Sequence, residues 1–494
     1  MHLSDVGSES LFRSETPSAQ VFGLDGVPQG SAFLVVKRGP NAGSRFLLDQ
    51  ATTTAGRHPN SDIFLDDITV SRRHAQFRCV SGEFKVVDVG SLNGTYVNRE
   101  AVNSAVLANG DEVQIGKFRL VFLTGPTTGD TNQMWGKRPD MIVRGQLPFN
   151  AEPPAPVLAD DAITALDAFY SRNHGPFPDI APELWRLTVD GAVDTPLTLT
   201  YDQLTSEFTA HSVLATLVCA GNRRTELLKV HPIPGKDPWA HGAISTAEWR
   251  GARLADVLHA AGVHPAEGLH VAFAAPDVAQ EAVPVQSYGS SIPLPKALSA
   301  GVLLAWQMNS QPLPRAHGGP VRVVVPGYIG ARSVKWVTAI TVQPVPSQNY
   351  FQALDYRLLP PDTDPDTAAP GEGISLSSLP LNCDILVPSD DAEISAGPLT
   401  IRGWALAGDG RSVARVDVSL DDGRTWRQAN LEPPISRWAW RQWSITVETQ
   451  PGPLSVTARA WDDTGVTHPE SPASLWNPRG YGNNAWAHIT ASAT

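Results

Sequence analysis

Residues 31–124 are built from short β-forming runs, AFLVVKRG, SRFLLDQ, AQFRCV, FKVVDVG and KFRLVFLT, separated by the turn formers PNAG, SGE, LNG and ANGDE. Glycine, asparagine and aspartate supply the backbone freedom of tight turns. The β-branched and aromatic residues between them suit a pleated, half-buried surface. No helix persists through such punctuation. The pattern predicts an all-β sandwich of about 95 residues.

The flanking texture divides the rest of the chain. Residues 1–30 are rich in serine, glycine and glutamate and read as a flexible tail, and 125–134, containing GPTTGDTNQ, reads as a linker. From 135 to 380, the expected helices YDQLTSEF, GARLADVLHAAG and PLPKALSA alternate with the apolar runs SVLATLVC, VRVVVPG and VKWVTAITVQP. That is an α+β pattern. After the connector PPDTDPDTAAPGEG, the runs LTIRGWAL, ARVDVSLDDG, QWSITVET and LSVTARAWDD alternate with period two. They predict a second β-sandwich over 381–494.

Composition excludes several functions. A net charge of −12 over 494 residues argues against a broad nucleic-acid footprint and leaves room for local basic pockets. Three cysteines, Cys79, Cys219 and Cys383, cannot build a disulfide framework, so a reducing, cytoplasmic setting is expected. No stretch approaches the ~18 apolar residues of a membrane span. The acidic, polar start MHLSDVGSESLF carries no export signal.

One run in the N-terminal module is chemically pointed: GRHPNSDIFLDDITVSRRHAQF, followed by DVGSLNGTYVN. Arg57 and Arg72 offer forked guanidinium groups, Ser71 a hydroxyl and Asn93 an amide, all on loops between strands, a set suited to phosphate. Loop arginines are commonly just solvated. The whole run, however, resembles the forkhead-associated (FHA) domain, a phosphothreonine-binding sandwich. The resemblance assigns Arg57, Ser71, Arg72 and Asn93 to a phosphopeptide and gives Gly56, His74 and Gly94 structural roles. Residues 31–124 are also similar to the small actinobacterial FHA regulator of glutamate metabolism, whose phosphorylated tail binds its own domain. Here the tail SDVGSESLFR has serines, and Thr16 is the only nearby threonine.

In the second region Cys219 ends an apolar run and opens CAGNRR. Beside Arg223 and Arg224 it is expected to have a depressed pKa, and a thiolate is a soft metal ligand. Taken alone, a buried cysteine is ordinarily a small hydrophobe. Arg172 and His174 in SRNHGPFP, His317 and Arg322 in PRAHGGPVRVVVPG, and Arg332 and Lys335 in GARSVKW add cations and imidazoles suited to a large anionic ligand. No P-loop, dinucleotide fingerprint, HExxH or CxxCH motif is present.

Together FYSRNHGPFP, TLVCAGNRR, HGAISTAEWRGARLADVL, HGGPVRVVVPGYIGARSVKW and WNPRG resemble the sulfite oxidase family of molybdenum-cofactor enzymes. The resemblance implies that Cys219 ligates molybdenum and that His174, His317, Arg322, Arg332 and Lys335 hold the molybdopterin. It places Arg172, Arg224, Trp239, Tyr356 and Arg479 around the substrate, and leaves Tyr288 and Trp336 as packing residues. It also implies an immunoglobulin-like dimerisation domain at 381–494 and a homodimer. The expected reaction is oxidation of sulfite to sulfate by oxygen-atom transfer. No haem is expected in this chain, so electrons would pass to an external cytochrome or to dioxygen. Two other readings stay open: nitrate or another small anion on the same cofactor, and a non-enzymatic phosphopeptide adaptor.

Overall fold

The computed structural model describes residues 32–39, 44–48, 50–80, 83–107, 110–124, 133, 135–408 and 410–494. The tail with Thr16, and nearly all of the linker, lie outside the described residues. The chain divides into two compact units, Met1–Gly125 and Pro126–Thr494.

In the first unit two sheets, antiparallel except for the parallel edge pair Ile63–Phe64 with Thr52–Gly56, enclose an apolar core. One has six strands, in the order Arg45–Leu48, Ala32–Arg38, Phe118–Thr124, Glu112–Ile115, Thr95–Val97 and Glu100–Val102. The other has five, running from Ile63–Phe64 through Thr52–Gly56, Ala75–Val80 and Glu83–Asp88 to Ser104–Val106. Alternation does the sorting. In Glu112–Ile115 the valine and isoleucine point inward while glutamate and glutamine stay half-exposed. Leu34, Phe77, Val86, Val113, Leu120 and Phe122 fill the space between the sheets.

The second unit contains four larger sheets. A five-stranded sheet orders Leu197–Thr200, Arg186–Gly191, Ala339–Gln343, His270–Ala279 and Gln286–Pro293. Beside it, Ala210–Val218, Ile244–Arg253 and Leu303–Met308 form an antiparallel ladder, with Arg322–Val324 on Leu303–Met308. Short helices cover these sheets. Tyr201–Glu207 begins at a capping box in which Thr200 and Gln203 satisfy each other's backbone amides. In GARLADVLHAAG only Leu254–Ala260 is helical, because the ladder claims the residues through Arg253. The C-terminal part is a four-stranded sheet (Asn382–Val387, Gly397–Leu406, Arg441–Thr449, Asn430–Leu431) and a five-stranded one containing Gly452–Asp462 and Ala487–Ala493. Their facing side chains, among them Cys383, Ile401, Trp443 and Val456, form a separate core. Among the described residues, no helix is long and apolar enough to cross a membrane.

Candidate active site

Strand Ala210–Val218 delivers Cys219 to the end of its sheet, where the Cys219 amide donates to Ala243 O at 2.9 Å. The turn then reverses into helix Arg224–Val230, and the Gly221 amide points at Cys219 Sγ at 3.4 Å. The thiol is buried. Burial pushes its pKa up, and the nearby Arg172 and Arg224 pull it down without cancelling that. The expected depression is therefore not found. Of the two arginines after the turn, only Arg224 faces the site. Arg223 turns away to Glu226, Asn382, Cys383 O and Ala485 O, fastening the turn to the C-terminal sheet.

Arg224 is threaded between two glycines. Its Nη1 donates to Asp237 O at 2.7 Å and its Nε to Gly480 O at 3.0 Å. A Cβ on Gly221 would lie 2.3 Å from Nη2, and one on Gly480, where φ is +62°, would lie 2.8 Å from Nε. Both positions need glycine to leave the guanidinium room.

One cavity around Cys219 is lined by Arg172, His174, His317, Arg322 and Lys335, together with Asp277, Tyr288 and Trp336. Tyr288 and Trp336, expected as packing residues, thus face it. Arg322 is held by His317 O at 2.9 Å and Ser333 O at 2.8 Å. Lys335 donates to Asn173 Oδ1 and lies 4.7 Å from the Trp336 ring. His174 pairs with the Tyr356 hydroxyl at 2.8 Å and stacks on Tyr288 at 4.6 Å. Lys137, which the sequence did not single out, reaches His317 Nε2 at 2.6 Å.

The charges in this cavity do not balance. Asp277 is the one carboxylate among the lining residues, against two arginines and a lysine. Burial and neighbouring cations hold Lys335, His174 and His317 well below their usual pKa values, and burial raises Asp277 to about 7. Asp277 Oδ1 has no hydrogen-bond partner among the described residues. Buried cations without counter-charges are costly unless an anion joins them. A pterin carrying phosphate and thiolates, with a metal on Cys219, fits that donor set in charge and softness.

A second cavity shares Arg172, Cys219 and Tyr356 with the first and adds Asn150, Arg224, Lys236, Asp237, Glu281 and Tyr481. Its charges are partly tied down. Buried Asp355 takes Lys236 at 2.5 Å, Arg479 at 3.0 Å and the Tyr481 hydroxyl at 2.9 Å. Arg172 stands 3.7 Å from Glu281. Three expected site residues line neither cavity. Trp239 is wholly buried in the core beside Cys219. Arg479 acts behind the wall through Asp355, and Arg332 grips Ser290 Oγ and Leu376 O. Asp277, at an inward position of the alternating strand His270–Ala279, carried a legible signal. Lys137, Lys236 and Asp355 carried none, since their roles depend on partners distant in sequence.

In the first unit Arg57, Ser71, Arg72 and Asn93 come together on adjoining loops. The Arg57 amide donates to Ser71 O and that of His58 to Arg72 O. A Cβ on Gly56 would lie 2.3 Å from Arg72 O, so only glycine permits this approach. Ser71 Oγ accepts from the Leu92 amide at 2.9 Å, and Asn93 Nδ2 donates to Thr69 O at 2.8 Å. His74 Nδ1 accepts from the Ser71 amide and Nε2 donates to Gly94 O, a neutral histidine bracing both loops.

Comparison with known proteins places this geometry. Residues 174–351 match the oxidoreductase molybdopterin binding domain, 374–493 the Mo-co oxidoreductase dimerisation domain, and 53–116 the FHA domain. Fold and site thus define a molybdenum-cofactor oxidoreductase that carries an FHA domain. Sulfite oxidase of Gallus gallus is 45% identical over 360 residues, spanning 71% of this chain and 77% of that protein. Mitochondrial sulfite oxidase of Homo sapiens is 43% identical over 363 residues, 72% of this chain and 66% of that one. The sulfane dehydrogenase SoxCD of Paracoccus pantotrophus shares the fold with a TM-score of 0.61 at 26% identity, covering 71% of this chain and 88% of that structure. The chain belongs to the sulfite oxidase family.

Proposed function

We propose that the protein oxidises sulfite to sulfate at the Cys219 centre. The observation that carries this is the pair of joined cavities, one lined by the cations and imidazoles that suit a large anionic cofactor, the other by Arg224 and Lys236, meeting at Cys219, Arg172 and Tyr356. His174, His317, Arg322 and Lys335 would hold the molybdopterin, with Asp277 beside them and Arg332 bracing the wall, and Cys219 would ligate the metal. When bound, that cofactor supplies oxygen-atom transfer and accepts the electron pair.

Sulfite is a compact dianion that loses its hydration on entering. Arg172 and Arg224 offset that loss with charge-assisted hydrogen bonds and orient the anion toward Cys219. Asp355 pairs with both Lys236 and Arg479 and offsets one of their two charges, so the wall stays cationic toward an anion without presenting every charge to it. Trp239 packs behind the thiol and keeps it rigid. Tyr356 is held neutral by burial, so it serves as a hydroxyl that can hydrogen-bond an oxyanion, positioned by its contact with His174. The balance is sulfite plus water giving sulfate, two protons and two electrons. The electrons pass to an acceptor that docks from outside, a cytochrome or dioxygen.

Cys219→Ser tests the assignment. The fold is expected to persist while sulfite-dependent ferricyanide reduction drops to background and molybdenum content falls. Undiminished turnover would remove the assignment, and turnover of nitrate in place of sulfite by the wild-type chain would move it to the nitrate-reducing relatives.

The FHA module binds a phosphothreonine-containing protein through Arg57, Ser71, Arg72 and Asn93 and thereby targets or regulates the enzyme. Its loop motif resembles that of the small actinobacterial FHA regulator of glutamate metabolism. The C-terminal sheets form an immunoglobulin-like sandwich that pairs two chains into a homodimer. Three cysteines in 494 residues are too few for a disulfide framework and suit a reducing, cytoplasmic compartment.

A further inference from the structure

We propose that Glu281 sets the anion specificity of the smaller cavity: its carboxylate is the counter-ion that an entering anion displaces from Arg172, and it weighs against doubly charged ligands. The inference rests on the reading of the Cys219 centre as a site for sulfite oxidation. Glu281 lines the cavity that holds Arg224 and Lys236, and not the larger one. Three cations, Arg172, Arg224 and Lys236, and two carboxylates, Asp237 and Glu281, line this smaller cavity. Hydrogen bonds fix four of these five groups. Arg224 donates to Asp237 O and Gly480 O, Lys236 to Asp355, and Arg172 Nη1 to the Asn173 carbonyl. Asp237 Oδ2 accepts from Asn150 Nδ2 at 3.0 Å. Glu281 is the fifth. Its Oε1 stands 3.7 Å from Arg172 Nη2 and 3.9 Å from His174 Nε2, close enough to attract a cation and too far to hydrogen-bond it.

The fold holds this residue at the rim while leaving its side chain free to swing. Glu281 lies in the loop 280–285, which joins strands His270–Ala279 and Gln286–Pro293 where Ala279 pairs with Gln286. The next residue, Ala282, is buried in the core and pins the loop. The Glu281 side chain is 42% exposed, whereas that of Arg172 is 15% exposed. A mostly buried guanidinium is costly without a counter-charge, and Glu281 supplies one. An anion that takes the outer fork of Arg172 replaces that carboxylate, which turns to solvent, and the carboxylate returns as the anion leaves. Both the competition and the residual repulsion oppose a ligand in proportion to its charge, so a dianion is weakened more than a monoanion. Uniformly tight binding of substrate and product does not raise turnover. The carboxylate loosens both, and so favours departure of sulfate from a pocket otherwise lined with cations.

The test measures anion binding by the cofactor-loaded full chain, with Glu281 compared with Glu281→Gln and Glu281→Asp. All three chains carry Arg57→Ala, so that the FHA loops take up no anion. Equilibrium dialysis of radiolabelled sulfate gives its Kd, and competition by chloride gives that of a monoanion. Glu281→Gln is expected to bind sulfate about tenfold and chloride about threefold more tightly, the square-root relation that follows from one charge acting on two or on one. Glu281→Asp keeps the charge and stays near wild type. In ferricyanide kinetics the KM for sulfite falls in Glu281→Gln, and inhibition by sulfate strengthens with its Kd. Unchanged sulfate affinity in Glu281→Gln would overturn the proposal, as would an equal gain for sulfate and chloride, which would mark a steric plug in place of a charge. A chain that oxidises no sulfite, yet gains sulfate affinity on Glu281→Gln, would remove the functional reading and support Glu281 as the counter-ion.

Discussion

Arg224 shows how much of the site depends on residues that carry no chemistry. Its guanidinium reaches the anion pocket only because Gly221 and Gly480, 259 positions apart, both lack a side chain. Gly480→Ala would place a methyl group 2.8 Å from Nε at a residue whose φ is +62°. The expected result is a KM for sulfite raised about tenfold, the equivalent of losing one charge-assisted hydrogen bond, with kcat changed less. Steady-state ferricyanide kinetics measure both constants. Equal kinetics for Gly480→Ala and wild type would mean that Arg224 does not contact substrate. The sequence displayed Arg223 and Arg224 as a matched pair. Only the turn geometry separates them, with a backbone φ of +60° at Arg223 sending one side chain to the C-terminal sheet and the next to the pocket.

Between elements, the turn after Ala210–Val218 is tied to strand Asn382–Val387 by buried charges. Arg223 donates to Asn382 Oδ1 and Cys383 O, and His241 pairs with Asp384 at 3.0 Å. The Asp384 carboxylate raises His241 to about 9. A histidine whose folded pKa exceeds its unfolded value of about 6.5 contributes stability that is complete below that pH and lost as pH climbs through about 9. Tm is thus expected to fall between pH 6.5 and 9, and Asp384→Asn should flatten that decline as well as lower Tm near neutrality. Calorimetry across this range checks it, a slope identical in both proteins being the contrary result. None of these partners was legible in advance. HGAIS and LNCDIL are more than 130 residues apart, and periodicity marks an inward position without naming what meets it there.

For the whole molecule, two units fold around separate cores, and each carries one recognition chemistry. Arg57 lies in the first and is expected to be needed for phosphate binding alone. By calorimetric titration, Arg57→Ala should bind a phosphothreonine peptide at least about tenfold more weakly than wild type, and the unphosphorylated peptide should bind neither. Equal affinity for both peptides would remove the phosphothreonine assignment. The FHA loops were readable because their residues fall within about forty positions and the turn glycines sit among them. Gly56 and Gly94 mark close approaches and positive φ that only glycine meets easily.

The sequence by itself determined the β-rich architecture, because alternation and turn chemistry are local. It also determined the Cys219 centre with its main cations, because those motifs are contiguous and of the right chemical type. Tertiary structure alone decided which cations remain free. Arg479 and Lys236 share the single carboxylate of Asp355, Arg223 and Arg332 are absorbed into hydrogen bonds, and Trp239 is core. It decided, too, that the Cys219 thiol is raised, since burial outweighs the arginines beside it. Charge compensation and desolvation act through space, between residues that meet only when the sheets have packed.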